Sequence, residues 1–385
     1  MEPLLISESS RHRGALNDLA LELATRSAAF KSSLPKETVI ALAALVRSMN
    51  CYYSNLIEGH ATHPIDIERA LQEDYSADSG QRDLQLEARA HIAVQSWIDA
   101  GGIQGIETEP AFLREIHRRF CDLLPDSLLW VENPDSREKV RVIPGEYRSG
   151  FVQVGAHVPV SPGAIPRFMT RFDQAYGRLG KASAIIGAAS AHHRLLWIHP
   201  FADGNGRVAR LMSHAMLLRS LDTGGLWSIA RGLARKADDY KSHLASCDTN
   251  RRNDMDGRGT LSEEALVSFT RFFLETCLDQ VDFMASLMQP ATLRERILLW
   301  TKHDADLGRL PTKAGRLMEA VLYRGALPRG ELGDILGMSD RSARRVAGTL
   351  TKLGVLTSQT HKSDLKLAFP ARLASTWMPG LFPEK

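Results

Sequence analysis

Residues 199–210 read HPFADGNGRVAR, and they sit between two apolar stretches with helical patterning, KASAIIGAASAHHRLLWI (181–198) and RVARLMSHAMLLRSL (207–221). The chain must therefore build a helix, a short polar loop and a second helix. The apolar side chains of the loop, Pro200, Phe201 and Ala202, then Val208 and Ala209, fall in two clumps too scattered for a strand. A histidine, an acid, two glycines around an asparagine and two arginines have no packing reason to crowd into twelve positions. A loop that opens a helix leaves backbone N–H groups unpaired at the positive end of the helix dipole. Gly204 and Gly206 let that backbone curl closely around an anion.

Each remaining position suits a phosphate ligand. Asn205 can hold the turn or donate to the anion, and Arg207 and Arg210, one helical turn apart, can share a face and grip a polyphosphate. Asp203 is placed for Mg²⁺, which favours a carboxylate combined with phosphate oxygens. His199 offers a base with a reference pKa of ~6.5, and Phe201 is expected in the core. The set reads as phosphate-group transfer in which the imidazole takes a proton from an acceptor hydroxyl.

The rest of the chain reads as mainly α. ETVIALAALVRSMNCYYSNLIEG (37–59) is apolar throughout and ends at a glycine; EARAHIAVQSWIDAGG and EPAFLREIHRRFCDLLPD follow as helices. VRVIPGEYRSGFVQVGAHVPVSP (140–162) breaks the period with Pro, Gly and short alternation, so a β-hairpin or irregular flap is expected there. Helices resume to about Met288, and Pro290 marks a boundary. Beyond Pro311, AGRLMEAVLYRG, RGELGDILGMS and DRSARRVAGTLTKLGVL read as three helices and TSQTHKSDLKLAF as a wing. Leu317, Val321, Leu332, Ile335, Leu336, Val346, Leu350 and Leu353 would form their core, and the pattern resembles a winged helix-turn-helix. No apolar run reaches the length of a membrane span. The N-terminal MEPLLISESSRHRG lacks the layout of a secretory leader, and Cys51, Cys121, Cys247 and Cys277 form no CxxC pair, so a cytoplasmic protein without disulfides or zinc is expected.

HPFADGNGRVAR matches the Fic family motif HxFx(D/E)GNGRxxR at all eight specified positions, and AHHRLLWI and PGEYRSGFVQVG resemble the helix and flap beside it. The resemblance implies a Fic-type helical core, ATP as substrate with Mg²⁺, and transfer of AMP to a hydroxyl of a target protein, with auto-modification as one outcome. It implies His199 as general base, Asp203 as metal ligand, and Gly204, Asn205 and Gly206 as an anion hole. Arg207 and Arg210 would bind the polyphosphate, and Val152, Gln153 and Val154 would clamp the target by strand addition. Gly206 stands where a kinase-like branch often has Lys, which favours nucleotidyl transfer.

SNLIEG (54–59) matches the inhibitory-helix signature (S/T)xxxE(G/N) of autoinhibited relatives, so Ser54 and Glu58, expected on one helix face, would restrain Arg210. Some relatives use this glutamate to remove AMP, which makes a deAMPylase or a two-way enzyme the nearest alternative. The expected division is 1–110 for a helical region carrying the inhibitor, 111–290 for the catalytic domain and 308–375 for the winged helix.

From Gly308 onward there are 13 Lys/Arg against 6 Asp/Glu, a balance of +7 in a chain of net +3, so the remainder carries −4. Arg341, Arg344 and Arg345 open the third helix of this tail and Lys362 and Lys366 lie in its wing, an arrangement suited to DNA or to a protein partner, homodimerisation included. A DNA-binding regulator that merely carries a Fic domain is thus a further alternative. Three other signals carry less. DMDGRGTLSEE (254–264) imitates a calcium loop but puts Arg252 in place of the first carboxylate. His192 and His193 diverge around a helix and suit a polar core network, and Tyr240 suits either adenine stacking or packing.

Overall fold

The computed structural model describes residues 1–60, 62–102, 105–132 and 139–382. Its elements run α1 (Arg13–Ser32), α2 (Lys36–Ile57), α3 (Pro64–Leu71), α4 (Ser79–Asp99), α5 (Pro110–Asp122), β1 (Trp130–Glu132) and β2 (Lys139–Arg141). There follow α6 (Ile165–Tyr176), α7 (Lys181–Ile198), α8 (Asn205–Leu221), α9 (Ala230–Arg235), α10 (Ala237–Cys247) and α11 (Glu263–Leu287). The last part holds α12 (Pro290–Asp306), α13 (Ala314–Arg324), β3 (Ala326–Leu327), α14 (Leu332–Leu336), α15 (Asp340–Lys352), β4 (Leu356–Thr357), β5 (Leu365–Leu367) and α16 (Ala374–Trp377). The protein is thus mainly helical with a small β-hairpin, as its patterning predicts. No described helix is long and apolar enough to cross a membrane.

The chain divides into two compact units. The first comprises Met1–Ala28, Asn50–Thr223 and Ser228–Gln280, and the second Ala29–Met49, Gly224–Trp227 and Val281–Lys385. At the centre of the first unit α7 packs on α8, with α6 against α7 and α4 and α5 against α8. Ala188, Ala189, Ala191 and Leu195 on α7 and Ala209, Leu211 and Met212 on α8 are all fully buried. Small residues along both helices let two backbones approach, which is why neither shows a clean amphipathic stripe: each is buried nearly all round.

In the second unit α12 packs on α13, and α13 on α14, α15 and a three-stranded antiparallel sheet of order β3-β5-β4. Leu317, Val321, Leu332, Leu336, Val346 and Leu350 are buried as expected, whereas Ile335 and Leu353 are only partly covered. Trp377 completes this core, edge-on to Trp300 at 5.2 Å.

The hairpin forms between β1 and β2, so one of its strands lies upstream of the predicted segment, while residues 142–161 are an irregular flap with a single bridge between Val154 and His157. α1 went unread because its apolar residues are diluted by charged and small ones. Leu195 has no exposed surface, so Leu195→Ala should cost about 2–5 kcal/mol, read as a lower midpoint of urea unfolding with the slope retained.

Candidate active site

α7 stops because His199 turns left-handed (φ 51°, ψ 62°). That region is unfavourable for most non-glycine residues but tolerated by histidine. The turn is held from outside: Arg148 Nε donates to the His199 carbonyl at 2.7 Å, and the Arg148 backbone N–H donates to Pro200 O at 2.9 Å. The same buried guanidinium donates to the carbonyls of Gly150 and Val160. Both ends of the flap and the backbone of His199 therefore share one cation.

The loop is closed by Asn205. Its Oδ1 accepts from the Phe201 N–H and its Nδ2 donates to the Phe201 carbonyl, both at 2.9 Å. Of the two roles open to this side chain, holding the turn is the one it performs. Phe201 is fully buried and stacks on His117 at 4.1 Å, with the planes 3° apart. Gly204 adopts φ 76°, a conformation that suits glycine, just before α8. The first helical bond of α8 is Val208 N–H to Gly204 O, and among the described residues the N–H groups of Asn205, Gly206 and Arg207 have no acceptor.

Glu58 lies over this N-terminus. A Cβ on Gly206 would collide with Glu58 Oε1 and lie 3.0 Å from Arg210 Nη1, so the missing side chain is what admits the carboxylate. Arg210 Nη2 pairs with Glu58 Oε1, while its Nε donates to Ser54 Oγ at 2.8 Å and its Nη2 also to Ser54 O at 3.2 Å. The Arg210 side chain is 2% exposed and that of Glu58 35%. Burial works to raise the Glu58 pKa, but the Arg210 charge and hydrogen bond, with help from Arg207 and His60, hold it below the usual carboxylate value. Ser54 and Glu58 converge on this one guanidinium. α2 ends at Ile57, and Glu58 occupies the turn that follows. Gly59 (φ 86°) and the His60 N–H to Asn55 O bond of 2.9 Å close that end in a Schellman arrangement.

The two arginines do not form a common grip. Arg207 Nη2 donates to Glu87 Oε2 at 3.0 Å and lies 3.2 Å from His60 Nδ1, its guanidinium 5.0 Å from the Phe120 ring centroid. His60 Nδ1 donates to the same Glu87 oxygen at 2.7 Å. One arginine is thus tied to an internal acid and the other to the turn after α2.

His199 Nδ1 is buried without a hydrogen bond of normal geometry. Burial lowers the imidazole pKa to about 4; Arg148 and His157 act in the same sense, the Leu196 carbonyl and Asp203 against it. The ring is therefore neutral at physiological pH, the form that accepts a proton. Asp203 is exposed, and no hydrogen bond to its carboxylate occurs among the described residues. Among those residues no group of three or more His, Cys, Asp or Glu could hold a metal unaided. A free carboxylate beside an anion cradle fits Mg²⁺ shared with phosphate oxygens.

Val152 is partly covered, Gln153 and Val154 are exposed, and Gln153 Nε2 donates to Gly155 O at 3.0 Å. Tyr240 is 3% exposed, its hydroxyl 2.7 Å from His192 Nε2, so it packs and cannot stack on a base. His192 also meets Ser213 Oγ (2.9 Å), and His193 meets Asp248 (3.0 Å): a buried polar network, as expected. Asp256 organises the calcium-like loop by accepting from Ser262 Oγ and the Glu264 N–H, with the Arg252 guanidinium 3.6 Å from its carboxylate. Sequence reasoning missed Arg148, Glu87, His60 and His117. The available signals were an arginine inside a Pro/Gly-rich flap and a histidine just past the SNLIEG motif; Glu87, one of several charged residues on α4, gave none.

These parts define a class. Residues 107–217 match the model of the Fic/DOC family, and the chain carries a domain of that family. Proteins named protein adenylyltransferase Fic from Drosophila virilis and Drosophila erecta are each 30% identical over 171 residues, 44% of this chain and 32% of theirs. The matched region thus spans about a third of the length of these curated relatives. A Fic family protein from Desulfovibrio desulfuricans G20 shares the fold with TM-score 0.55 at 15% identity, covering 94% of this chain and 98% of its own. A signaling protein with a Fic domain from Bacteroides thetaiotaomicron VPI-5482 does so with TM-score 0.50 at 19% identity, covering 69% and 95%.

Asn205→Ala would strand the buried Phe201 N–H and carbonyl. It should lower stability by about 1–3 kcal/mol, measured by denaturant unfolding.

Proposed function

We propose that the chain is a protein adenylyltransferase that moves AMP from ATP to a hydroxyl side chain of a target protein, and that Glu58 holds it off. The observation that carries this reading is the Glu58 carboxylate against Gly206, paired with Arg210 at the open N-terminus of α8. A site that accommodates an internal anion there is built for an external one.

In the proposed reaction the neutral imidazole of His199 takes the proton of the target hydroxyl as that oxygen attacks the α-phosphorus. The bond from the α-phosphorus to the bridging oxygen breaks, and pyrophosphate leaves. The backbone N–H groups of Asn205, Gly206 and Arg207, with the Arg210 guanidinium, would neutralise the leaving charge. Mg²⁺, when bound, offsets further phosphate charge, and Asp203 is the residue to hold it. The Glu87 and His60 contacts of Arg207 support a positioning role for that side chain, with direct phosphate contact requiring it to leave them. Val152, Gln153 and Val154 would present their backbone to the target. Residues 1–110 would supply the inhibitor, 111–290 the chemistry, and 308–375 a winged-helix module for a partner.

A hydrogen bond to a charged group contributes ~1.5–3 kcal/mol, so returning Arg210 to the nucleotide should be worth about one to two decades. Glu58→Gly should raise auto-AMPylation at least ~10-fold on this scale, and His199→Ala should abolish it. Labelling from ATP carrying ³²P at the α-phosphate reads both, and equal labelling by wild type and Glu58→Gly would remove the inhibition. Intact mass with Mg²⁺ and each nucleotide identifies the group transferred. Because Glu58 stays partly exposed beside the cradle, it can also orient a water toward bound AMP. Loss of AMP from a pre-modified preparation with wild type, but not with Glu58→Gly, would support that second direction.

Catalysis needs His199 neutral, and its pKa is lowered to about 4. The acid limb of kcat/KM for Glu58→Gly, which reports the free enzyme, should fall well below the ~6.5 of an ordinary histidine. A limb at or above that value would contradict the burial described here.

A further inference from the structure

We propose that the C-terminal part of the second unit binds duplex DNA, with α15 as the element that enters the major groove. α14 and α15 are joined by three residues, Gly337, Met338 and Ser339, and Gly337 makes the sharp turn with φ 58°. Two helices joined by such a glycine-containing turn are the helix-turn-helix arrangement, in which the second helix reads the groove.

The packing of α15 fixes which side faces outward. Ala343, Val346, Ala347 and Leu350 are buried, while Arg341, Arg344, Arg345 and Lys352 are exposed. None of these four cations forms an ion pair or side-chain hydrogen bond among the described residues, although Arg324 and Arg294 of the same unit pair with Glu331 and Glu319. Arg341 stands three and four residues from Arg344 and Arg345, a spacing at which like charges repel along a helix. Three arginines kept there unpaired do nothing for the helix itself and are matched to an anionic partner.

A second cationic element lies in the loop between β4 and β5, where His361 and Lys362 are exposed. Arg329 braces that loop by donating to Ser363 O and Ser358 Oγ, both at 3.0 Å. Asp340 and Asp364 are the exposed acids of these two elements, against four cations on the helix and Lys362 in the loop.

Shape selects among polyanions. An α-helix fits the major groove of B-form DNA, whereas the deep, narrow groove of A-form RNA excludes it. An acidic protein partner would need an apolar anchor at the centre of the interface. No large hydrophobic residue of α15 is among the exposed ones.

The test uses the full chain and a labelled 25-base-pair duplex of mixed sequence, followed by anisotropy between 50 and 200 mM salt (about those limits suffice to resolve counterion release). Four to five phosphate contacts would give a slope of log K against log salt of about −4. The triple variant Arg341→Ala, Arg344→Ala, Arg345→Ala should flatten that slope by roughly two to three and weaken binding at the lowest salt ~50-fold or more. Lys362→Glu leaves α15 untouched and should flatten it by about one, which separates lost contacts from a misfolded helix. Absence of binding at the lowest salt, or an unchanged slope in both variants, overturns the proposal. So does equal or tighter binding of the same sequence as duplex RNA. None of these outcomes bears on the nucleotide chemistry proposed for the first unit.

Discussion

Three backbone N–H groups without acceptors among the described residues and a guanidinium almost sealed from water make a site that is costly to leave without negative charge. At the start of α8 that charge is the Glu58 carboxylate, seated where Gly206 has no side chain and held by Arg210. Pairing of this kind satisfies a buried cation that would otherwise be strongly destabilising. It also defines the geometry around it. Ser54 takes Nε of the same guanidinium through its hydroxyl and shares Nη2 with Glu58 through its carbonyl, and Gly59 ends α2 so that the carboxylate arrives from the closing turn.

Around this pair the first unit is organised as a set of local closures, each made by one polar side chain. Asn205 ties the loop to Phe201, Phe201 stacks on His117, and His117 Nδ1 accepts from the Gly145 N–H at 2.9 Å. Arg148 ties the flap to His199 from the other side. Burial then sets the chemistry. Burial, with the Arg148 cation nearby, keeps His199 neutral, and burial likewise lowers His117 to about 4. The two imidazoles differ in occupation: both nitrogens of His117 have neighbours, whereas Nδ1 of His199 has none of normal geometry.

The sequence disclosed what is encoded within a few residues. The twelve-residue loop was readable because its donors, base and acid are contiguous, and the helical class because the long apolar stretches of α2, α7 and α8 end at glycine or at a polar loop. What stayed hidden depends on distant partners. Nothing near Arg207 announces that Glu87, 120 residues away, holds it. Nothing local to Tyr240 says that its hydroxyl meets His192 and that its ring is buried. The strand Trp130–Glu132 went unread for the same reason, since it shows no alternation of its own and exists by pairing with Lys139–Arg141.

Gly206 has a consequence for how such a lock could be opened. Guard and nucleotide, on the reading given above, compete for the volume that a methyl group would fill. A substitution at this position that evicts the guard would also narrow the berth for its rival. On the proposed inhibition, relief would come from moving the stretch that carries the carboxylate, Ser54 to His60, rather than from any change in the cradle.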